Sequence, residues 1–362
     1  MGKRNRVTTR DIAEYTGLSQ STVSMILSEK KNVSFLPETE EIVREAAKKL
    51  GYKKPEKKAA QMDTCLADTI LLLAPLLTNS YYTAIIHAIT DQAAAVGYRV
   101  LTAVTLRRPE KETEYLAYAR SSRMAGIIIL YPISRITEAN ALSKTLPVVL
   151  IGEKPDRVRF DSVELDSRKP GFLMGQHLLG LGHKHIAFVS APIRKQDISR
   201  ARRLDGLKMA WEEGGLDPAQ IEVCTPSTSA YNSFTYSSAE YQTGYEMTLK
   251  ALADQTGATA FAGQNDMTAY GIMAALREKG FRIPGDYSVG GFDNSPLSAM
   301  PQISLTSVEH ATLEKGQDAV DLIYQKNHQA QGKGYGRITR MEYEPRLIVR
   351  QSTGKVNHYI DH

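Results

Sequence analysis

From Asp68 onward, short apolar runs alternate with longer amphipathic stretches, and this alternation limits the possible folds more than any other feature of the chain. The amphipathic stretches at 81–96, 110–123, 168–181 and 203–214 predict helices. The apolar runs are typical of buried parallel strands. They are TILLLAPLL (69–77), YRVLTAVT (98–105), GIIILYPI (126–133), LPVVLIGE (146–153), HIAFVSAP (185–192), ATAFAGQN (258–265) and YSVGGFDN (287–294). We therefore expect an α/β fold of parallel sheets, and the strands are numerous enough to predict two lobes.

Polar and aromatic side chains follow three of these runs, at the strand ends where such sheets bind ligands. They are Asn79, Tyr81 and Tyr82 after the first run, Asn265 and Asp266 at the end of the sixth, and Asp293 and Asn294 at the end of the seventh. Side chains of this kind suit a hydroxyl-rich or heterocyclic ligand. Asp266 is expected to cap the next helix, a turn cap is the alternative for Asp293, and one of the two tyrosines is expected in the core.

The N-terminal segment VTTRDIAEYTGLSQSTVSMIL (7–27) predicts two helices joined by a tight turn. Thr8 and Asp11 have the spacing of a helix cap, Gly17 can end that helix, and Ser19 can cap the next one. The turn has the length found in helix-turn-helix motifs. The expected apolar face of the first helix consists of Ile12, Ala13 and Tyr15, and that of the second consists of Val23, Ile26 and Leu27. A third helix is predicted between Pro37 and Gly51, with the apolar face Ile42, Val43, Ala46, Ala47 and Leu50.

The basic excess of the chain lies in this same region. Residues 1–62 contain 13 Lys and Arg against 8 Asp and Glu, and this surplus of five equals the net charge of the whole chain. Such an asymmetry favours an anionic partner, with nucleic acid as the first candidate. The alternative from spacing alone is a three-helix cap domain with a solvated basic face.

The segment 7–27 and the later AAKKLGY (46–52) resemble the headpiece of the lactose-repressor (also galactose-repressor) family of bacterial regulators, with Phe35-Leu36 as a small insertion. The resemblance implies that the second helix lies in the DNA major groove. The base-contacting residues would be Gln20, Ser21 and Met25. Many family members carry arginine where Met25 stands, so the usual operator consensus is in doubt. The residues at phosphate-contacting positions would be Thr8, Ser19, Thr22, Ser24, Ser34 and Thr39, with helix capping as the alternative role.

The segment GYKKPEKKAAQMDTCLAD (51–68) resembles the family's hinge, which forms a short helix on DNA and inserts an apolar side chain into the minor groove. Alignment on Pro55 places Met62 at the inserting position, and we adopt Met62. Alignment on Tyr52 places Gln61 there instead. The alternative is a lysine-rich linker that only screens phosphates.

The rest of the chain resembles the family's periplasmic-binding-protein-like domain, through NSYY (79–82), LGHKHIAFV (181–189), RLDG (203–206), AFAGQNDMTAYG (260–271) and the segment 287–308. The resemblance implies that Arg203, Asn265 and Asp293 contact a small-molecule effector, together with Asn79 and Tyr82 at the first strand end. A stacking aromatic would come from YNSFTYSSAEYQTGY (231–245). Phe234, Tyr236 and Tyr241 are candidates, and we adopt Tyr236.

The expected domains are a headpiece at 1–52, a hinge at 53–67, an effector-binding and dimerisation domain at 68–352, and a tail at 353–362. Within the effector domain, 68–161 with 310–328 would form the first lobe, and 162–309 with 329–352 the second.

Several classes of protein find no support in the sequence. No apolar run is long enough for a membrane span, and no secretory signal is present, so we expect a cytoplasmic protein. Cys65 and Cys224 indicate neither a disulfide framework nor a metal site, and His183 and His185 are expected to be structural. No catalytic motif is present, so we expect neither an enzyme nor a cofactor.

The sequence therefore predicts a transcription regulator, most simply a repressor, that binds a pseudo-palindromic operator as a homodimer. A small-molecule effector, with a sugar or sugar acid favoured, would control its affinity for DNA. A purine or a phosphorylated carrier protein is the alternative effector. A sugar-binding receptor without a role on DNA is the alternative from another class.

Overall fold

The computed structural model describes residues 7–27, 35–52, 66–153, 157–193, 198–235, 238–329 and 337–357. Ser34, Gln61, Met62 and Tyr236 lie outside the described residues, as does most of the predicted hinge. The chain divides into two compact units, Met1–Thr64 and Cys65–His362.

The described residues of the first unit form three helices, α1 (Thr9–Thr16), α2 (Gln20–Leu27) and α3 (Pro37–Leu50). The predicted cap of α1 is confirmed, because Thr8 and Asp11 form a reciprocal capping box. Gly17 ends α1 with φ of 69°, a left-handed conformation that glycine adopts without strain. Ser19 accepts a hydrogen bond from the Thr22 amide at 3.1 Å and so caps α2.

The three helices pack around a small apolar core. Its fully buried members include Ile12, Val23 and Val43, one from each helix. Two side chains predicted on the apolar faces are instead exposed, Tyr15 at 52% and Ile42 at 53%. The core is already filled by the small Ala13, Ala46 and Ala47 and their neighbours, so the larger side chains at its edge remain in solvent.

The second unit consists of two lobes, each built on a six-stranded sheet. The strands are β1 (Thr69–Ala74), β2 (Arg99–Val104), β3 (Gly126–Ile129), β4 (Val148–Gly152), β5 (Asp161–Glu164), β6 (Ile186–Val189), β7 (Ile221–Cys224), β8 (Ala260–Gly263), β9 (Ser288–Phe292), β10 (Thr306–Glu309), β11 (Arg340–Glu342) and β12 (Arg346–Ile348). The first sheet has the order β11-β5-β4-β3-β1-β2, and the second has the order β12-β10-β9-β8-β6-β7. The pairing is parallel except for β10 with β12, which is antiparallel.

Helices cover both faces of each sheet and bury its apolar side chains. They are α4 (Ser80–Ala95), α5 (Pro109–Ser121), α6 (Ile136–Leu142), α7 (Arg168–Gly180), α8 (Ile198–Glu213), α9 (Thr228–Ser233), α10 (Ala239–Ala253), α11 (Asp266–Glu278) and α12 (Thr312–Gln329). The predicted α/β class with a helical headpiece and two parallel-sheet lobes is confirmed. In the part of the chain that the structure describes, no helix is both long and apolar enough to cross a membrane.

The lobe boundaries differ from the predicted ones in two places. β5 belongs to the first sheet, although 162–164 were predicted in the second lobe. β11 also belongs to the first sheet, because it pairs with β5, whereas 329–352 were predicted in the second lobe. The chain therefore crosses between lobes after β5, after β10 and again between β11 and β12.

Candidate functional site

A cavity of about 140 Å³ lies between the two lobes, beyond the carboxyl ends of their strands. Of the six side chains predicted to bind an effector, the five described ones line this cavity: Asn79, Tyr82, Arg203, Asn265 and Asp293. They come from both lobes and are separated by as many as 214 residues along the chain. The fold therefore brings the predicted set together at one place.

Glu240 of α10 accepts a hydrogen bond from each of two asparagines that lie at helix N-termini. The amide of Asn79 donates to Glu240 Oε2 at 2.7 Å, and the amide of Asn265 donates to Oε1 at 2.9 Å. Each asparagine is also an N-cap, Asn79 of α4 and Asn265 of α11. Burial raises the pKa of Glu240, against the opposing effect of the hydrogen bond from Asn79. Glu240 was not among the predicted site residues, because nothing local distinguishes a single acid in an amphipathic helix.

Asp293 occupies a strained position at the end of β9. Its φ is 125°, a conformation that is rare outside glycine and often found at functional sites. Its Oδ1 lies 3.8 Å from Arg203 Nη2 and 3.2 Å from His310 Nε2. Burial raises the pKa of Asp293 to about 7, even though Arg203 and Lys315 both lower it. Burial also lowers the pKa of His310 well below its ordinary value, so His310 is neutral near pH 7.

Arg203 is held in place by a close crossing of α7 and α8. A Cβ atom on Gly171 would lie 2.0 Å from the Arg203 carbonyl oxygen, so only glycine permits this approach. Arg203 donates from Nη1 to the carbonyl of Gln264, and its guanidinium lies 5.1 Å from the centre of the Phe292 ring. Its buried Nε has no hydrogen-bond partner among the described residues. The backbone therefore fixes the guanidinium beside the cavity.

Lys315 of α12 also lines the cavity and was not predicted. It is only 1% exposed, and burial lowers the pKa of its ammonium to about 8. The sequence does contain a signal for it, because Lys315, Ala319, Leu322 and Ile323 recur at the spacing of one buried helix face. A lysine on such a face indicates a buried charge.

The aromatic side chains at the cavity include the predicted Tyr82. Tyr81, Tyr82 and Tyr131 line it. One of the two tyrosines after the first strand was expected in the core, but both reach the cavity. Phe234 packs against Tyr231 and Tyr241 is exposed, and neither of the two lines the cavity.

Asp266 does not have its expected capping role, because Asn265 is the N-cap of α11. Its carboxylate instead accepts hydrogen bonds from the Ser295 amide and from the hydroxyls of Ser298 and Ser307, at 2.6 to 2.8 Å. Burial raises the pKa of Asp266 to about 7. These contacts hold the loop after β9, which carries Asp293.

His183 has structural contacts. Its ring nitrogens lie 2.9 Å from the hydroxyls of Thr259 and Ser288. Among the described residues, no group of three ligand-type side chains is arranged to hold a metal ion.

The headpiece presents the predicted DNA-contacting side chains at its surface. Gln20, Ser21 and Ser24 of α2 are exposed, and Met25 is half-buried. Among the predicted phosphate contacts, Thr8 and Ser19 also serve as caps. Among the described residues, Gln20 has one long side-chain contact, 3.5 Å to the Thr9 hydroxyl, so its amide can turn toward another partner.

Comparison with known proteins gives matches over both units. Residues 8–55 match the bacterial regulatory proteins of the lacI family, and residues 176–353 match the periplasmic binding protein-like domain. The HTH-type transcriptional repressor PurR of Mannheimia succiniciproducens is 28% identical over 351 residues, covering 96% of this chain and 99% of that protein. The HTH-type transcriptional regulator DegA of Bacillus subtilis is 27% identical, covering 97% of this chain and 99% of its own.

Solved structures give a consistent result. The Lac repressor bound to ONPG in the repressed state is 25% identical with a TM-score of 0.64, covering 96% of this chain and 100% of that one. A regulator from Enterococcus faecium with bound ribose is 24% identical with a TM-score of 0.67, covering 80% of this chain and 100% of its own. The second likeness is one of fold.

Proposed function

The chain belongs to the LacI family of bacterial transcription regulators and is not an enzyme; on that premise we propose that it is a homodimeric repressor of a pseudo-palindromic operator, controlled by a polyhydroxylated effector in the interlobe cavity. The observation that carries the effector assignment is the convergence of Asn79, Arg203, Asn265 and Asp293 on one cavity from both lobes. Carboxylate, guanidinium and amide groups together can share the vicinal hydroxyls of a sugar.

On DNA, we assign base contacts to Gln20, Ser21 and Met25 at the start of α2, and phosphate contacts to Thr8, Ser19, Thr22, Ser24 and Thr39. The exposure of Gln20, Ser21 and Ser24 supports this assignment. The proposed roles of Ser34 on phosphate and of Met62 in the minor groove concern residues outside the described part of the chain. Two headpieces would then occupy two half-sites.

The proposed control follows from linkage. An effector in the cavity contacts both lobes, so it favours one spacing of the lobes over others. If that spacing alters how two subunits present their headpieces, effector and operator change each other's affinity by the same factor.

The test compares the full chain with Asp293→Asn in a thermal-shift screen against sugars, sugar acids, sugar phosphates and nucleobases, followed by operator binding. An effector at 100 times its Kd should add about 2.7 kcal/mol of stability to the wild type. Asp293→Asn should lose this shift and the effector response while it retains operator binding. Asp254→Asn, an exposed aspartate of the same lobe, is the control. A response that survives in Asp293→Asn would show that the effector site is elsewhere.

A nucleobase is the second candidate effector, because three tyrosines line the cavity and could stack on a heterocycle. The same screen separates the two classes. A shift with purines and none with sugars would replace the sugar assignment.

A further inference from the structure

The ammonium of Lys315 is a buried charge that faces the cavity. The side chain is 1% exposed, and no hydrogen bond or ion pair joins its Nζ to any residue that the structure describes. Its Nζ lies 5.7 Å from the centre of the Tyr81 ring. Buried ammonium groups in proteins are normally paired, so a site that keeps one unpaired is suited to an incoming anion.

The carboxylates that line the cavity are already engaged by other groups. Glu153 pairs with Arg202 and accepts a hydrogen bond from the Ser167 amide. Glu240 accepts from Asn79 and Asn265. Asp293 lies 3.8 Å from Arg203 Nη2, and the neutral His310 lies beside it at 3.2 Å without a hydrogen bond from its Nε2. None of the three lies within ion-pair distance of Lys315.

The balance of charge around the cavity points the same way. Its described lining residues include four cations, Arg107, Arg200, Arg203 and Lys315, against the three acids Glu153, Glu240 and Asp293. With all of these groups ionised, the lining has a positive surplus of one charge.

We infer that the effector is a polyhydroxylated carboxylic acid, a sugar acid, whose carboxylate pairs with Lys315 while its hydroxyls bind at Asp293 and Asn265. This inference rests on the proposed function and adds the charge of the ligand and the residue that recognises it. A carboxylate fits better than a phosphate, which carries about 1.5 to 2 negative charges. The N-termini of α4 and α11, which could help to neutralise a phosphate, are capped by Asn79 and Asn265.

The test measures calorimetric binding of matched ligands to the full chain: galactose, galacturonate and galactose 6-phosphate, then glucose, glucuronate, gluconate and glucose 6-phosphate. We expect an acid to bind at least tenfold more tightly than its neutral parent. Lys315→Met, of similar length and without charge, should lower the affinity for the acid at least tenfold and lower the affinity for the neutral parent much less, so that the preference for the acid is lost. Lys315→Gln serves if the methionine variant does not fold. Lys144→Met, an exposed lysine of the first lobe, should bind as the wild type does.

Two results on the acids would overturn the inference: an acid that binds no more tightly than its neutral parent, or no binding of any acid. It would also be overturned if Lys315→Met bound the acid as tightly as the wild type does, or if a sugar phosphate bound more tightly than the acids. The result also separates the two proposals. If a neutral sugar binds and Asp293→Asn abolishes that binding, the proposed function stands and only the carboxylate assignment falls. If no compound of either class binds, both fall.

Discussion

The side-chain amide of Asn79 donates a hydrogen bond to Oε2 of Glu240 at 2.7 Å, and this contact joins the first lobe to the second across the cavity. The other carboxylate oxygen accepts from Asn265 of the second lobe at 2.9 Å. Because both asparagines are helix caps, one acid connects the N-termini of α4 and α11. A ligand that replaced Glu240 at the Asn79 amide would alter the contact between the lobes.

Glu240→Ala should therefore open the cavity. Its removal leaves two amide groups without their acceptor, which costs roughly 1–3 kcal/mol for each group that stays buried. We expect a lower free energy of unfolding and a larger radius of gyration of the full chain in X-ray scattering. Glu246→Ala, on the same helix but bonded only to Gln242, is the matched control. An unchanged radius of gyration would mean that the lobes do not depend on this contact.

Because Asp266 is buried, we expect its ionisation to lower the free energy of unfolding of the protein as pH rises toward neutrality. Its pKa is raised to about 7 in the folded chain, against about 3.9 for an ordinary aspartate. Between these values the folded state holds the proton that the unfolded state releases, so the free energy of unfolding falls as pH rises. Asp266→Asn cannot ionise, and the difference in stability between the two proteins should grow in its favour from pH 4 to 7. Chemical denaturation at several pH values measures this difference.

The comparison with Asp266→Asn cancels the contributions of groups that do not interact with Asp266; the charge of Asp293, which raises the pKa of Asp266, is part of the measured difference. Asp254→Asn, at the surface, should follow the wild type at each pH. A stability difference that does not vary with pH would show that Asp266 is ionised throughout the range.

The local parts of this structure could be predicted from the sequence, and the reason is visible in particular residues. The cap formed by Thr8 and Asp11 and the stop at Gly17 lie within one or two helical turns, so short-range spacing is enough. Asn79, Asn265 and Asp293 follow apolar runs, and parallel topology carries such positions to one edge of a sheet.

The features that could not be predicted depend on contacts between segments that are distant in the sequence. Glu240 meets Asn79 across 161 positions, and nothing near either residue indicates the other. β11 and β12 have three residues each, too few for a period-two pattern to be recognised. Their pairing with β5 and β10 decides the lobe boundary, so the predicted boundary was wrong there.

Gly171→Ala should damage the cavity from a distance. The added Cβ would lie 2.0 Å from the Arg203 carbonyl oxygen, so α7 and α8 must separate. Overpacking of this kind costs typically 1–3 kcal/mol, and the shift would move Arg203 away from Asp293. We expect a lower melting temperature and weaker effector binding. Gly180→Ala, on the same helix with open space around its Cβ, should change neither. Equal behaviour of the two variants would mean that the crossing can relax without cost.

Gln20→Ala should separate base reading from phosphate binding. Gln20 is exposed at the first turn of α2, and its only contact within the described headpiece is a long one to Thr9. If its amide reads a base edge, the alanine variant loses roughly 1–3 kcal/mol on the specific operator and almost nothing on random DNA. Ser24→Ala, on the same helix, removes a proposed phosphate contact and should weaken both kinds of binding alike. Titration of operator and random duplexes at one fixed salt concentration measures both losses, because salt alone changes the affinity for phosphates. An equal loss on the two duplexes for Gln20→Ala would assign this residue to the DNA backbone or to the fold, and the base-reading surface would then have to lie elsewhere on α2.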